Sequence, residues 1–160
     1  MPRDPIPTWF FALVVVRKDD KFLLVHERKH EQKWYLPAGR IEPREDFIKA
    51  AQRETLEETG VSVKIEGILK IQHTPMFDGS ARVRFIVIAS PEDDTPPKSE
   101  PDEESLEAAW MTLEEMKNIE LRGNEVLELF EYVANGAPIY PLNLITSEAP
   151  LYFGSLPTKS

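Results

Sequence analysis

A short acidic segment, residues 39–60, constrains this chain more than any other part of its sequence. Its apolar residues recur at helical spacing and a glycine follows them, so the spacing predicts a helix over Pro43–Thr59. Glu54, Glu57 and Glu58 then occupy positions i, i+3 and i+4, and they share one helical face within a single turn. Because like charges at that spacing repel one another, this face needs a positive charge to compensate it.

The basic residues close to the glutamates compensate them only in part. Arg53 lies beside the cluster and Lys49 lies one turn before it. A hard divalent cation compensates better, since Mg²⁺ takes oxygen ligands and is commonly held by one or two carboxylates with substrate phosphates and waters. Gly39 lets a ligand approach the backbone closely, so its carbonyl oxygen is a candidate ligand as well. The alternative is a merely solvated acidic face, which the glutamates alone do not exclude.

The complete spacing of the segment is far more specific than its glutamates. It reads G-x5-E-x7-R-E-x2-E-E-x-G followed by an aliphatic residue, and it runs from Gly39 to Val61. Seven fixed identities at about 7% each coincide by chance with a frequency on the order of 10⁻⁸ per starting position. This signature segment resembles that of the Nudix (MutT-like) hydrolases. It departs from the family pattern at Thr55, where an aliphatic residue is usual, and at Arg40, where many members have a second glycine.

The resemblance implies a fold and a set of residue roles. The expected fold class is α+β, an αβα sandwich around a mixed β-sheet in which the signature segment forms a loop–helix–loop. The implied reaction is metal-assisted attack of water on a diphosphate linked to another moiety, with Mg²⁺ or Mn²⁺ as cofactor. The family pattern assigns Gly39, Glu57 and Glu58 to the metal, Glu54 to the metal or to a general base, Arg53 to orienting the catalytic glutamates, and Glu45 to supporting the site.

A further carboxylate is expected from a loop after the signature segment, because the family often recruits one there. The corresponding residues are Asp102, Glu103 and Glu104. Glu104 is the first choice as a metal ligand and Glu103 the second, and a solvated loop acid is the alternative for either. The surrounding stretch, Pro91–Glu104, has four prolines and no apolar residue, so we expect a mobile loop there.

Three arginines are candidates for substrate binding. Arg28 occupies a position where many family members carry a basic residue that faces the phosphates, and a solvent-exposed loop arginine is the alternative. Arg84 interrupts an otherwise apolar strand pattern, and a charge there needs a partner or a pocket. We therefore expect Arg84 to face the substrate cleft. Arg40, directly after the first glycine of the signature segment, is the third candidate.

Nucleoside di- and triphosphates are the preferred substrate class, with oxidised nucleotides as a candidate subset. ADP-ribose or another nucleoside-diphosphate sugar is the enzymatic alternative. A non-catalytic nucleotide-binding module is a third hypothesis, since fold alone does not fix activity, but such modules lose the glutamates that this chain retains. The first class is favoured by a resemblance to 8-oxo-guanine nucleoside diphosphate phosphatases and to bacterial nucleoside di- and triphosphate phosphatases, which rests on Leu36–Pro43, Val83–Phe85, Glu104–Trp110 and Pro141-Leu142.

Composition limits the remaining functions. The chain carries 19 Lys+Arg against 28 Asp+Glu, a net charge of −9, which disfavours nucleic acid as a partner, capped RNA included. It has no cysteine, which excludes disulfides, thiolate metal sites and cysteine nucleophiles. No run approaches the roughly 18 apolar residues of a membrane span. With no recognisable signal peptide, we expect a cytoplasmic protein without a membrane partner. Dimers are common in the family, so a homodimer is a candidate assembly.

The rest of the sequence predicts one small domain. Two runs rich in aromatic and aliphatic residues around a short charged turn predict a β-hairpin, and later runs predict further strands and a second helix. We expect a single domain over residues 1–145, followed by a C-terminal tail, 146–160, that is a candidate for disorder. The expected elements are strands at Trp9–Val16, Lys21–Val25, Val61–His73, Ala81–Ala89 and Leu106–Met111 and a helix at Asn124–Ala134.

Overall fold

The strands form where β-branched and aromatic residues, which favour extended backbone, are concentrated. The computed structural model describes residues 2–148. Its strands are β1 (Thr8–Lys18), β2 (Lys21–His26), β3 (Trp34–Tyr35), β4 (Ala38–Arg40), β5 (Val63–Pro75), β6 (Ala81–Pro91) and β7 (Glu107–Thr112). Its helices are α1 (Phe47–Thr59) and α2 (Glu125–Ala134), with short helical turns at His30–Gln32, Glu115–Asn118 and Leu142–Leu144.

The strands pair into one mixed sheet in the order β3-β2-β1-β6-β5, with β4 paired to β1 and β7 paired to β2. The β1–β6 pair is parallel and the other pairs are antiparallel. Strand β6 lies between β1 and β5, as expected for a strand that is largely apolar on both faces. The predicted α+β fold with a mixed sheet is confirmed.

The two helices cover opposite faces of this sheet. Successive side chains of a strand point to opposite faces, so β1 contributes to both apolar layers. Ala12, Val14 and Val16 pack on the side of α1, whereas Leu13 and Val15 pack on the side of α2. This arrangement places α1 against one face of the sheet, where it also contacts β4.

Helix α1 begins four residues later than the sequence predicts. Asp46 caps it by accepting a hydrogen bond from the Lys49 amide at 2.8 Å. Pro43 lies outside the helix, because Arg44 adopts a φ of 68°, in the left-handed region, and interrupts a right-handed helix there. The other predicted strands and the second helix are confirmed with ends that shift by at most two residues.

Most of the predicted C-terminal tail, 146–160, lies outside the described residues, which end at position 148. The domain boundary at residue 145 stays a prediction. In the described part of the chain, no helix combines the length and the apolar character needed to span a membrane.

Candidate active site

Helix α1 carries the three glutamates on one face, as the sequence predicts, and this face continues the buried apolar face of the first turns, because Ala50 and Ala51 lie four and three residues before Glu54. Phe47, Ala50 and Ala51 pack into the core. Thr55 is fully buried on the same side, and its Oγ1 donates a hydrogen bond to the Ala51 carbonyl at 2.7 Å. Thr55 therefore occupies a buried packing position, and its departure from the family pattern does not remove any of the glutamates.

Arg53 is the cation at the centre of the acidic cluster. Its Nε and Nη2 donate to the two carboxylate oxygens of Glu45, at 2.7 and 2.9 Å. Its Nη1 donates to Glu54 at 2.8 Å and to Glu57 at 3.3 Å, and Nη2 also donates to the Arg40 carbonyl at 3.1 Å. Through the two hydrogen bonds to its carboxylate, Arg53 holds the pKa of Glu45 below its ordinary value.

Glu54 and Glu58 are the two acids of the cluster whose pKa values are raised. Burial raises the pKa of Glu58 well above its ordinary value, although its Oε1 accepts a hydrogen bond from the Ala38 amide at 3.0 Å. Burial also raises the pKa of Glu54, and the hydrogen bond from Arg53 opposes that rise. Repulsion from Glu104 contributes to both shifts. Two desolvated acids therefore share one region, which is common at functional sites.

Gly39 is the position that lets the Glu54 carboxylate approach the backbone. A Cβ atom at Gly39 would lie 2.0 Å from the carboxylate carbon of Glu54 and 2.2 and 2.5 Å from its oxygens. Side-chain atoms do not tolerate such distances, so only glycine fits while Glu54 keeps this position. The glycine of the signature segment thus has a steric role, in addition to the metal-binding role predicted for its carbonyl.

An open cleft of about 420 Å³ lies beside this cluster, and we call it the carboxylate cleft. It brings together four of the predicted site residues, Arg28, Glu54, Glu58 and Glu104, although 76 positions separate the first from the last. Glu57 lies at the side of the cluster, with its carboxylate on Arg53. The lining residues of the carboxylate cleft are Glu27, Arg28, Lys29, His30, Ala38, Glu54, Glu58, Glu103 and Glu104.

The loop that carries Glu103 and Glu104 is fastened to the C-terminal end of α1. Lys98 Nζ donates to the Glu57 carbonyl at 2.7 Å and pairs with the Asp102 carboxylate. Ser105 Oγ donates to the Glu58 carbonyl at 2.6 Å. These contacts tie the end of the loop to the helix, and the expected mobility of Pro91–Glu104 stays a prediction for the part before Lys98. Lys98 is the single lysine of this acidic stretch, but the sequence around it does not indicate which group it contacts.

The structure does not bring Arg40 and Arg84 into the carboxylate cleft. The Arg40 guanidinium lies over the ring of Trp9, 4.0 Å from the ring centre. Arg84 donates to Gln72 at 2.7 Å and pairs with Glu125 of α2, on the face of the sheet opposite α1. The partner that a half-buried arginine needs is therefore present for Arg84. Substrate contacts by these two arginines stay predictions.

Glu27 and the Ala38 amide belong to the cleft and were not predicted from the sequence. Arg122 Nη1 donates to the Glu27 carboxylate at 3.0 Å. Glu27 repels Glu58 and contributes to the rise of its pKa. Glu27 lies just after β2 and directly precedes Arg28. Its position next to Arg28 is the only local feature of the sequence that could have indicated a place in the cleft. A backbone amide such as that of Ala38 leaves no signal in the residue type.

The donors around the carboxylate cleft suit a hard divalent cation. Carboxylate and carbonyl oxygens are the ligands of Mg²⁺ and Mn²⁺. Within residues 2–148 no three acidic or histidine side chains converge as a metal-binding group, because Arg53 and the Ala38 amide hold the carboxylates instead. A cation would offset the desolvated charge that raises the pKa of Glu54 and Glu58, so these residues fit it. The groups that would hold it are the Gly39 carbonyl and the carboxylates of Glu54, Glu57, Glu58 and Glu104.

Gly39→Ala is expected to lower kcat by about 10–100-fold, because the added methyl group displaces the Glu54 carboxylate. Gly67→Ala is the matched control, since its Cβ would lie 2.2 Å from Ile139 and away from the cleft. Steady-state kinetics and thermal unfolding of both variants separate the two effects. Gly67→Ala should lower stability with little change in kcat. Equal losses of kcat in the two variants would contradict the steric role assigned to Gly39.

Known proteins resemble the chain over most of its length. The NUDIX domain family matches residues 9–130. The 8-oxo-dGDP phosphatase NUDT18 of Homo sapiens is 38% identical over 124 residues, which are 76% of this chain and 37% of that protein. Phosphatase NudJ of Shigella boydii is 31% identical over 134 residues, 82% of this chain and 86% of that protein.

A solved structure agrees with the fold as well. A NUDIX hydrolase from Nitrosomonas europaea superposes with a TM-score of 0.74 at 32% identity, over 92% of this chain and 99% of that one. The chain spans less than two fifths of human NUDT18 and of putative nudix hydrolase 1 from Caenorhabditis elegans. The family match includes every residue of the signature segment. On this match and on the geometry of α1, the chain belongs to the Nudix hydrolase family.

Proposed function

We propose that this chain hydrolyses a diphosphate bond in nucleoside di- and triphosphates, oxidised nucleotides among them, with Mg²⁺ or Mn²⁺ as cofactor. The observation that carries the proposal is the carboxylate cleft, where the desolvated Glu54 and Glu58 share a space with Arg28. Acids alone would repel a polyphosphate, whereas a cation held by acids attracts it. The names of the relatives, 8-oxo-dGDP phosphatase and phosphatase NudJ, support the same class of substrate.

The chemistry of this reaction depends mainly on positioning and on stabilising charge at the phosphate oxygens. The bound cation supplies charge neutralisation and makes the attacking water more acidic. The protein supplies the positioning. Arg53 fixes the carboxylates of Glu45 and Glu54, and the Ala38 amide fixes that of Glu58. Glu54 acts as the general base that takes the proton of the water, or as a further ligand of the cation.

Arg28 is the arginine that we assign to the substrate phosphates. Its Nη1 donates to the Asp102 carbonyl at 2.9 Å, which holds the side chain at the wall of the carboxylate cleft. A guanidinium binds phosphate oxygens through several donors in a fixed plane. Arg40 and Arg84 lie outside the cleft, so they would contact only a part of the substrate that extends beyond it.

A panel of substrates with Mg²⁺ tests the proposed function. The panel contains dGDP, 8-oxo-dGDP, a nucleoside triphosphate and ADP-ribose, and the products measured are phosphate, pyrophosphate and AMP. We expect the highest kcat/KM with a nucleoside di- or triphosphate, and loss of turnover after chelation of the metal. AMP released from ADP-ribose at the highest kcat/KM would favour the nucleoside-diphosphate sugar alternative. No turnover of any substrate would favour a non-catalytic module.

Glu104→Gln is expected to lower kcat by about 10–100-fold, because its carboxylate is the loop acid that acts on the cluster. The charge of Glu104 raises the pKa of both Glu54 and Glu58, and Glu103 is absent from the causes of either shift. Glu103→Gln, the neighbouring control in the same cleft, should change kcat by no more than about twofold. Steady-state kinetics at saturating Mg²⁺ measures kcat of the two variants and decides which acid contributes. A larger loss for Glu103→Gln would transfer the role to that residue.

A further inference from the structure

The turn after β2, residues 27–33, forms one wall of the carboxylate cleft and has an unusual backbone. His30, Glu31 and Gln32 have φ angles of 55°, 61° and 56°. Three consecutive residues with side chains thus adopt the left-handed region, which is unfavourable for residues that carry a Cβ atom. Such conformations persist where surrounding contacts impose them, and they cluster at ligand-binding and catalytic sites.

Contacts at the base of the turn hold it in this conformation. The Glu27 amide donates to the Lys33 carbonyl at 3.0 Å and closes the turn. The ring of His26 stacks on Trp34 with centres 4.6 Å apart, and its Nε2 lies 2.9 Å from the Gln32 carbonyl oxygen. These contacts therefore fix the backbone of the turn at the wall of the cleft, although most side chains of the turn are exposed.

The turn brings nitrogen-bearing side chains to the acidic cleft. The turn contributes Glu27, Arg28, Lys29 and His30 to the lining of the cleft, and Glu54, Glu58, Glu103 and Glu104 line it as well. Within residues 2–148, the side chains of Lys29 and His30 have no hydrogen-bond or ion-pair partner, whereas Arg28 is engaged with Asp102. Two nitrogen-bearing residues without a side-chain partner thus line a cleft whose acids already have partners, Arg53 for Glu54 and the Ala38 amide for Glu58.

We propose that Lys29 and His30 bind the terminal phosphate of the substrate and so favour nucleoside di- and triphosphates over nucleoside-diphosphate sugars. This inference rests on the proposed function and deepens it. A terminal phosphate is a monoester-like group with up to two negative charges and three free oxygens, whereas each phosphate of a nucleoside-diphosphate sugar carries one charge. Lys29 and His30 line the same cleft as the acids that would hold the cation, so their nitrogen donors suit a terminal phosphate bound in that cleft.

The test is the double variant Lys29→Met/His30→Asn, in which asparagine retains the tolerance for the left-handed backbone. We expect kcat/KM for a nucleoside diphosphate to fall by about 10–100-fold, mainly through KM, because two charge-assisted hydrogen bonds are lost. Turnover of ADP-ribose should change by no more than about twofold. Glu31→Asn, which alters the same turn without removing a cationic group, is the control and should resemble the wild type.

Binding of inorganic pyrophosphate in the presence of Mg²⁺, measured by calorimetry, makes this test independent of turnover. We expect the double variant to bind pyrophosphate at least about tenfold more weakly than the wild type. If the wild type hydrolyses no nucleoside phosphate, the proposed function fails, and this binding difference still supports the subsite. Equal binding by both proteins, no binding by the wild type, or an equal loss of kcat/KM for diphosphate and ADP-ribose would overturn the inference.

Discussion

Glu58→Gln is expected to lower kcat by about 10²–10⁴-fold while the protein stays folded. Glutamine has nearly the same shape, and its side-chain oxygen can still accept the hydrogen bond that Glu58 takes from the Ala38 amide at 3.0 Å. It lacks the negative charge that would hold the divalent cation. Steady-state kinetics with Mg²⁺ measures the loss, and Glu131→Gln, at an exposed position of α2, is the control for removing one acid.

The same variant has an expected effect on stability that separates a lost function from a damaged fold. Burial raises the pKa of Glu58 above its ordinary value of 4.5, so the folded protein holds this proton more tightly than the unfolded chain. The stability of the metal-free wild type therefore falls as pH rises from about 4.5 toward the raised pKa, and then becomes constant. Metal-free Glu58→Gln lacks this loss, so near neutral pH it should unfold at the same temperature or a higher one. A clearly lower unfolding temperature would contradict this account of Glu58.

Arg53→Gln is expected to lower both stability, by about 2–3 kcal/mol, and kcat, by about 10²-fold. The substitution removes the cation shared by Glu45, Glu54 and Glu57 and leaves three carboxylates without compensation. Arg53→Lys retains the charge but cannot donate to both oxygens of Glu45 and also reach Glu54, so it should recover stability only in part. Denaturant unfolding and kinetics of the two variants measure these effects.

A double-mutant cycle with Glu45→Gln tests the pair that anchors Arg53. We expect a coupling free energy of about 1–2 kcal/mol near neutral pH. Since Arg53 lowers the pKa of Glu45, the stabilisation by this pair is complete above pH 4.5 and is lost as pH falls through the lowered value. The coupling should therefore decline in strong acid. Coupling near zero at neutral pH would show that Glu45 does not anchor the arginine.

The acidic face of α1 could be predicted from the sequence, because it follows from helical spacing alone. Residues 54, 57 and 58 must share a face on any helix. The start of that helix could not be predicted in the same way. Pro43 suits a first helical position, but the left-handed backbone of Arg44 interrupts the helix, and Asp46 caps it instead.

The residues around the helix were harder to place, because their partners are distant in the chain. Arg84 was expected to need a partner or a pocket, but its partner Glu125 lies 41 residues away. Nothing in the local pattern of 91–104 shows that Lys98 is fastened to the Glu57 carbonyl. The left-handed turn at His30 leaves no pattern either, since no glycine or asparagine marks it. Such features depend on tertiary contacts, which periodicity does not encode.

In the function proposed above, this chain is a divalent-cation-dependent hydrolase whose carboxylate cleft includes Glu58. The most direct test is phosphate release from dGDP and 8-oxo-dGDP by the wild type and by Glu58→Gln, each with Mg²⁺ and after chelation. We expect rapid phosphate release only by the wild type with Mg²⁺, and rates at least about 10²-fold lower in the other three conditions. Equal rates after chelation or in the variant, or no release by the wild type from either nucleotide, would contradict it.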